Sequence, residues 1–194
     1  MRLAILLSGR GSNFEAIHRA FADQIVCVIS NRPDARGLAC ARELGLPAHA
    51  IDDRKFPARE AHEEEVLRVL AGAKPDFICL AGYMRLLSPA FVAAYPHRIL
   101  NIHPSLLPAF PGVDAQAQAV AYGVKVSGCT VHFVDENLDA GPIVVQRVVE
   151  VRDDDSSETL AARILEQEHI AYVEALLKLS TQTWRIEGRR VIFE

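Results

Sequence analysis

Three polar residues of this sequence have the types and spacing needed to act on a carbonyl group. Asn101 and His103 flank Ile102 at the end of an apolar run, and Pro104 stops the strand behind them. Side chains alternate along a strand, so Asn101 and His103 project to one face and Ile102 to the other. An amide N–H and a protonated imidazole can both donate to a developing oxyanion. The imidazole can equally move a proton near neutral pH. The competing reading is a histidine that simply packs or caps. Asp139 favours the chemical one. It lies in Asp135–Pro142, a stretch rich in turn formers between two extended segments. Beside His103 its carboxylate would hold the ring and favour the charged form, or accept protons from an attacking amine through a water. Asp135 and Glu136 read as a solvated turn. Thr130 and His132 share a face opposite Val131 and Phe133, and either line the same cleft or meet solvent.

A second candidate follows the first apolar run. Leu7 leads into Ser8-Gly9-Arg10-Gly11-Ser12-Asn13 and then into a helical pattern. Glycines there let the backbone aim several N–H groups at one spot, and the helix start adds partial positive charge. That suits a phosphate. A Walker loop would need Gly-Lys-Ser/Thr after four residues, and it is absent. A dinucleotide fingerprint would need glycine where Phe14 stands and an acid where Asn31 and Arg32 follow the second strand. A single terminal phosphate fits better than NAD or ATP. The alternative is a plain glycine turn, because Ser12-Asn13-Phe14-Glu15 also satisfies the capping-box pattern.

No G-x-S-x-G elbow occurs. No His/Cys/Asp cluster has metal-ligand spacing, and His62-Glu63-Glu64-Glu65 reads as the solvated face of a helix. The expected chemistry is direct group transfer, with no metal and no covalent intermediate.

These residues need elements to position them. Leu3–Leu7, Ile25–Ile29, Phe77–Leu80 and Arg98–Ile102 are short apolar runs, as expected of strands covered on both faces. Between them lie helical patterns: Phe14, Ile17 and Phe21; Gly37 to Leu44, with Gly45 as terminator; and Ala58 to Ala71. Alternating strands and helices predict right-handed crossovers and a mostly parallel sheet. Val124–Val134 and Pro142–Val151 read as long extended segments. A helix from Ser157 to Leu179 follows, and Thr183–Ile186 and Arg189–Phe193 flank a tight turn at Glu187-Gly188. The expected class is therefore α/β: a mostly parallel twisted sheet flanked by helices, with antiparallel additions towards the C-terminus. Ligands of such sheets bind beyond the carboxyl ends of the strands.

With 194 residues and no repeat or linker, one domain over 1–194 is expected. The net charge of −4 argues against nucleic-acid or polybasic membrane binding. No apolar run approaches a membrane span, and Leu3–Leu7 is too short for a signal peptide. Cys27, Cys40, Cys79 and Cys129 form no C-x-x-C pair, which points to a reducing cytoplasm.

Jointly the motifs resemble the phosphoribosylglycinamide formyltransferase family. They are Ser8–Asn13, Ala81-Gly82-Tyr83-Met84-Arg85-Leu86-Leu87-Ser88-Pro89, Asn101–Pro108, Gly128–Phe133, Leu138–Pro142 and Gln167-Glu168-His169, in the family's order. The resemblance implies a Rossmann-like formyltransferase fold. It also implies formyl transfer from N10-formyltetrahydrofolate, as co-substrate, to the amine of glycinamide ribonucleotide in purine synthesis. Asn101, His103 and Asp139 match the catalytic trio. Gly11, Ser12 and Asn13 match the phosphate loop of an N-terminal ribonucleotide-binding part. Met84, Arg85, Leu86, Leu87, Val134, Asp135 and Leu138 match the pterin pocket of the folate-binding part, with packing an equal reading for Met84 and for Ile99. Glu168 matches a contact to the ribose end. It also interrupts the apolar stripe Leu160, Ile164, Leu165, Tyr172, Ala175, Leu176, Leu179, where an unpaired carboxylate is costly; a local structural hydrogen bond is the alternative.

Two stretches depart from the family. Val113–Gln118 replaces a histidine-containing segment, and Leu165 stands where a polar residue can assist the phosphate. Phosphate affinity then rests more on the glycine loop. The Asp153–Asp155 run with Glu158 reads as a solvated turn and helix cap. Competing readings are formyltetrahydrofolate hydrolysis, favoured less because the chain begins at its first strand, and a non-catalytic folate or nucleotide module. Methionyl-tRNA formyl transfer fits neither the length nor the charge. Partners should be small molecules alone, with monomer and homodimer both open.

Overall fold

A computed structural model describes all 194 residues. The chain divides into two compact units, Met1–Leu100 and Asn101–Glu194. In the first, strands β1 (Leu3–Leu7), β2 (Ile25–Ser30), β3 (Ala48–Ala50) and β4 (Phe77–Leu80) alternate with helices α1 (Ser12–Phe21), α2 (Arg36–Glu43) and α3 (Arg59–Ala73), and α4 (Pro89–Ala94) follows. The strand order is β3-β2-β1-β4, all parallel. All five residues of β1 are fully buried, which is why its sequence is continuously apolar rather than alternating. α1 buries Phe14, Ile17 and Phe21 on one side, the spacing its helical period demands.

In the second unit, β5 (Ile99–His103) enters across the division, followed by α5 (Ala115–Tyr122), β6 (Val126–Phe133), β7 (Ile143–Glu150), α6 (Ser157–Thr181), β8 (Trp184–Glu187) and β9 (Arg190–Phe193). β6 and β7 run antiparallel, as do β8 and β9, while β9 joins β7 in parallel. The class is thus the expected α/β one, parallel first and largely antiparallel later. α6 turns Leu160, Ile164, Tyr172, Ala175, Leu176 and Leu179 inward together with Glu168. Ser156 and Thr159 close a reciprocal capping box at its start. Asp155, read as solvated, accepts from the Arg152 and Thr159 donors and pairs with Arg163 at 2.7 Å. Those bonds hold its carboxyl well below the ordinary range.

One expectation fails in α3. His62 and Glu63 are buried, not solvated. His62 Nε2 bonds the Ile51 carbonyl at 3.0 Å, and Glu63 accepts from the Ser88 N–H at 2.9 Å and from the Ser88 hydroxyl. Glu64 is exposed, and Glu65 is half-buried and pairs with Arg68. A charged string hides the inward pair, because burial follows partners as well as residue type. All four cysteines are free, and no helix is long and apolar enough to cross a membrane.

Candidate active site

In the second unit, β5 ends with Asn101 half-buried and His103 buried. The turn after β6 brings Asp139 to His103: Asp139 Oδ2 lies 3.3 Å from His103 Nδ1. Both side chains are over nine-tenths buried, at 9% and 6% exposure. Asp139 adopts φ +49°, a left-handed conformation that aspartate tolerates better than most residues. Its Oδ2 also accepts the Gly112 N–H at 2.8 Å. The opposite ring nitrogen, His103 Nε2, donates to the Phe110 carbonyl at 2.8 Å, since a carbonyl can only accept. Both nitrogens of His103 therefore face acceptors.

His132 completes the cluster. Its Nδ1 lies 2.9 Å from the Phe133 carbonyl, so Nδ1 carries the hydrogen. Burial lowers the pKa of this ring and keeps Nε2 bare, against opposing pulls from Asp139 and Asp135 and with a smaller push from His103. A bare Nε2 accepts from Asn101 Nδ2 at 3.3 Å. That contact fixes which way the Asn101 amide points and leaves its second N–H unassigned. Two histidines thus flank one carboxylate, with His132 Nε2 3.8 Å from Asp139 Oδ1.

This assignment predicts a pH response. Because the folded ring resists protonation, His132 contributes its full stability above about pH 6.5, the usual imidazole value. The contribution declines as acidity rises below that value, where the unfolded chain takes up the proton first. Ring-nitrogen NMR at that pH should find His132 neutral with hydrogen on Nδ1. A half-protonated ring there would refute the assignment.

Thr130 is buried rather than solvent-facing, and it does not line a cleft. Its hydroxyl donates to the Ser105 carbonyl at 2.7 Å and accepts from Leu107 N–H at 3.1 Å and Gln146 Nε2 at 3.0 Å. Two of these bonds brace the chain after β5, and the third ties it to β7. Glu168 is 8% exposed; burial first, and then the nearby Glu168 charge, push the Cys129 thiol up to about 12. Val134 and Asp135 are half-buried and Leu138 is exposed.

In the first unit, Gly11 caps α1 at φ +84°, and no side chain bonds the helix start. The capping-box alternative therefore does not hold for Ser12–Glu15. A Cβ on Gly11 would stand 2.6 Å from the Gly37 Cα. Backbone meets backbone there, so the loop's shape is set by two glycines far apart in sequence. Ser12 is half-buried and Asn13 is buried. Met84 is 80% and Leu86 65% exposed, which removes packing as the reason for Met84, whereas Ile99 is fully buried. Arg85 and Leu87 are half-buried, and Arg85 pairs with Asp53.

Residues 1–176 match the formyl transferase family. The chain belongs to that family. Among its members, phosphoribosylglycinamide formyltransferase of Escherichia coli (strain K12) is 40% identical over 199 residues, covering the whole of this chain and 91% of the relative. The trifunctional purine biosynthetic protein adenosine-3 of Drosophila melanogaster is 46% identical over 189 residues, but this chain spans only 14% of its length. Among solved structures, glycinamide ribonucleotide transformylase 1 of Symbiobacterium toebii superposes with a TM-score of 0.96 at 45% identity, covering all of this chain and 93% of that one. No group of three or more His, Cys, Asp and Glu side chains is placed to hold a metal ion. Sequence reasoning missed the Phe110 carbonyl, a backbone atom whose only forewarning is the turn-forming Phe110-Pro111-Gly112. It also missed Asp53, whose partner lies 32 residues away.

Proposed function

We propose that this protein transfers the formyl group of N10-formyltetrahydrofolate to the amine of glycinamide ribonucleotide, in purine synthesis. The observation that carries the reading is the pairing of Asp139 with His103 beside Asn101 at the end of β5. The amine nitrogen attacks the formyl carbon, and the carbonyl oxygen becomes an oxyanion. Asn101 donates its second amide N–H to that oxygen. His103 donates its Nε2 hydrogen, transferring it from the Phe110 carbonyl to the stronger acceptor. Asp139 holds the imidazolium and relays the proton lost by the amine towards N10, directly or through one water. The bond from carbon to N10 then breaks, N10 keeps the proton, and formylated product and tetrahydrofolate leave. His132 keeps the Asn101 amide oriented throughout.

The remaining roles extend the same reading over 1–194 as one formyltransferase domain. Gly11, Ser12 and Asn13 hold the substrate phosphate. Met84, Arg85, Leu86, Leu87, Val134, Asp135 and Leu138 contact the folate, and Glu168 contacts the ribose end. The partners are these two small molecules, and the protein works in the cytoplasm without nucleic acid or membrane.

The experiment that tests the reading separates it from hydrolysis of the folate. Tetrahydrofolate release should be much faster with enzyme, formyl folate and amine together than with enzyme and formyl folate alone. Equal rates with and without amine would replace transfer by hydrolysis, with water as acceptor. No release under either condition would leave only a binding module.

A further inference from the structure

The loop Gly82–Ser88 has no regular structure of its own and exposes Met84 and Leu86, yet its backbone is pinned at several points. Ser8 donates its N–H to the Gly82 carbonyl at 3.0 Å, and its hydroxyl oxygen accepts the Met84 N–H at 2.8 Å. The same hydroxyl donates to Asn31 Oδ1 at 2.6 Å. Asn31 in turn donates from Nδ2 to Asp53 Oδ1 at 3.4 Å and accepts the Asp53 N–H on its carbonyl at 3.4 Å. Asp53 Oδ2 closes the circuit by pairing with Arg85, back in the loop. Glu63 holds the far end through Ser88.

Asp53 is the member of this circuit without a local purpose. It sits in the short turn Asp53–Lys55, but that turn is capped by Asp52, which accepts the Arg54 N–H at 3.2 Å and its guanidinium at 2.8 Å and 3.0 Å. The Asp53 side chain is only 11% exposed and gathers Arg85, Arg32 at 3.7 Å and Asn31. A carboxylate that far from water is tolerated only when its partners are in place. Holding a recognition loop in one geometry before the ligand arrives lowers the entropy cost of binding.

We propose that Asp53 is a positioning residue for the folate-facing loop, acting through Arg85 on one side and through Asn31 and Ser8 on the other. The inference rests on the folate-binding reading of Met84–Leu87 and adds to it a residue outside the loop. Arg85 accordingly serves as a strut for its own backbone, with its guanidinium engaged inward.

Four variants test this: Asp53→Ala, Asp53→Asn, Arg85→Ala and the double Asp53→Ala/Arg85→Ala, with Asp52→Ala as control. Each is measured for kcat, for the KM of both substrates, for tetrahydrofolate affinity by calorimetry, and for thermal midpoint. Asp53→Ala should raise KM for formyl folate about tenfold and weaken tetrahydrofolate binding to match, with kcat and the amine KM within about twofold. Asp53→Asn keeps the acceptor for Asn31 but loses the charge, and should fall between. The double variant should cost less than the sum of the two single losses, because the Asp53–Arg85 contact is removed by either substitution. Asp52→Ala should leave folate affinity unchanged. A folded Asp53→Ala with wild-type folate affinity would overturn the proposal, as would additive effects in the double variant. If Asp53→Ala does not fold, Asp53→Asn decides by the same readouts. Tetrahydrofolate affinity remains measurable even if the wild type proves to be a hydrolase or a binding module, so failure of Asp53 is separable from failure of the transfer reading.

Discussion

Asp139→Asn will lower turnover at least about 100-fold while leaving the fold intact. Asparagine tolerates the left-handed backbone at φ +49° as aspartate does, and its amide oxygen can still accept the Gly112 N–H now held at 2.8 Å. What the substitution removes is the negative charge 3.3 Å from His103 Nδ1. The imidazolium then loses its counter-charge, and the amine proton loses its acceptor. General acid–base groups contribute about 100-fold or more, equivalent to about 2.7 kcal/mol of barrier. Asn101→Ala and His103→Ala should cost as much, since oxyanion donors contribute similarly. Steady-state kinetics beside circular-dichroism melting checks all three. Near-normal turnover in a folded variant removes that residue from the mechanism.

Removing the phosphate from the amine substrate should lower kcat/KM by about 100-fold or more. Hydrogen bonds to a charged group contribute about 1.5–3 kcal/mol each; the first N–H groups of a helix have no partner within it, and Gly11 at the start of α1 supplies no side-chain cap. Leu165 gives no polar help, so the loop carries the burden. Gly11→Ala should reproduce much of the loss with the phosphorylated substrate, because its Cβ would drive Gly11 and Gly37 apart. Competition assays with both amines, and KM for the Gly11 variant, provide the check. Equal affinity for the dephosphorylated amine would leave the glycine bend as a turn and nothing more.

Much of this architecture is legible in the sequence. β1 announces itself because a strand buried on both faces must be apolar at every position, and Leu3–Leu7 is. The pairing of Asn101 with His103 follows from strand alternation alone. The proximity of Asp139 does not, because a turn 36 residues downstream can reach β5 only through the antiparallel return of β6 and β7. α5 escaped notice because Ala-Gln-Ala-Gln-Ala alternates like a strand, while its buried positions are Ala115 and Ala119, one helical turn apart. β3 spans three residues, too few to show a period. Glu63 reads as surface charge and Asp53 gives no signal, because their partners, Ser88 and Arg85, are remote in sequence. Burial of a charge is a property of the pair, and one residue of a pair does not disclose it.

The Phe110 carbonyl seated on His103 Nε2 has a consequence for inhibitor design. An acceptor brought by a free ligand competes there with one tethered seven residues along the same chain, and tethering gives such a group a millimolar-scale local concentration. Compounds that first address the second Asn101 N–H, the one not held by His132, meet no such internal rival, so their affinity should respond more steeply to each improvement in contact.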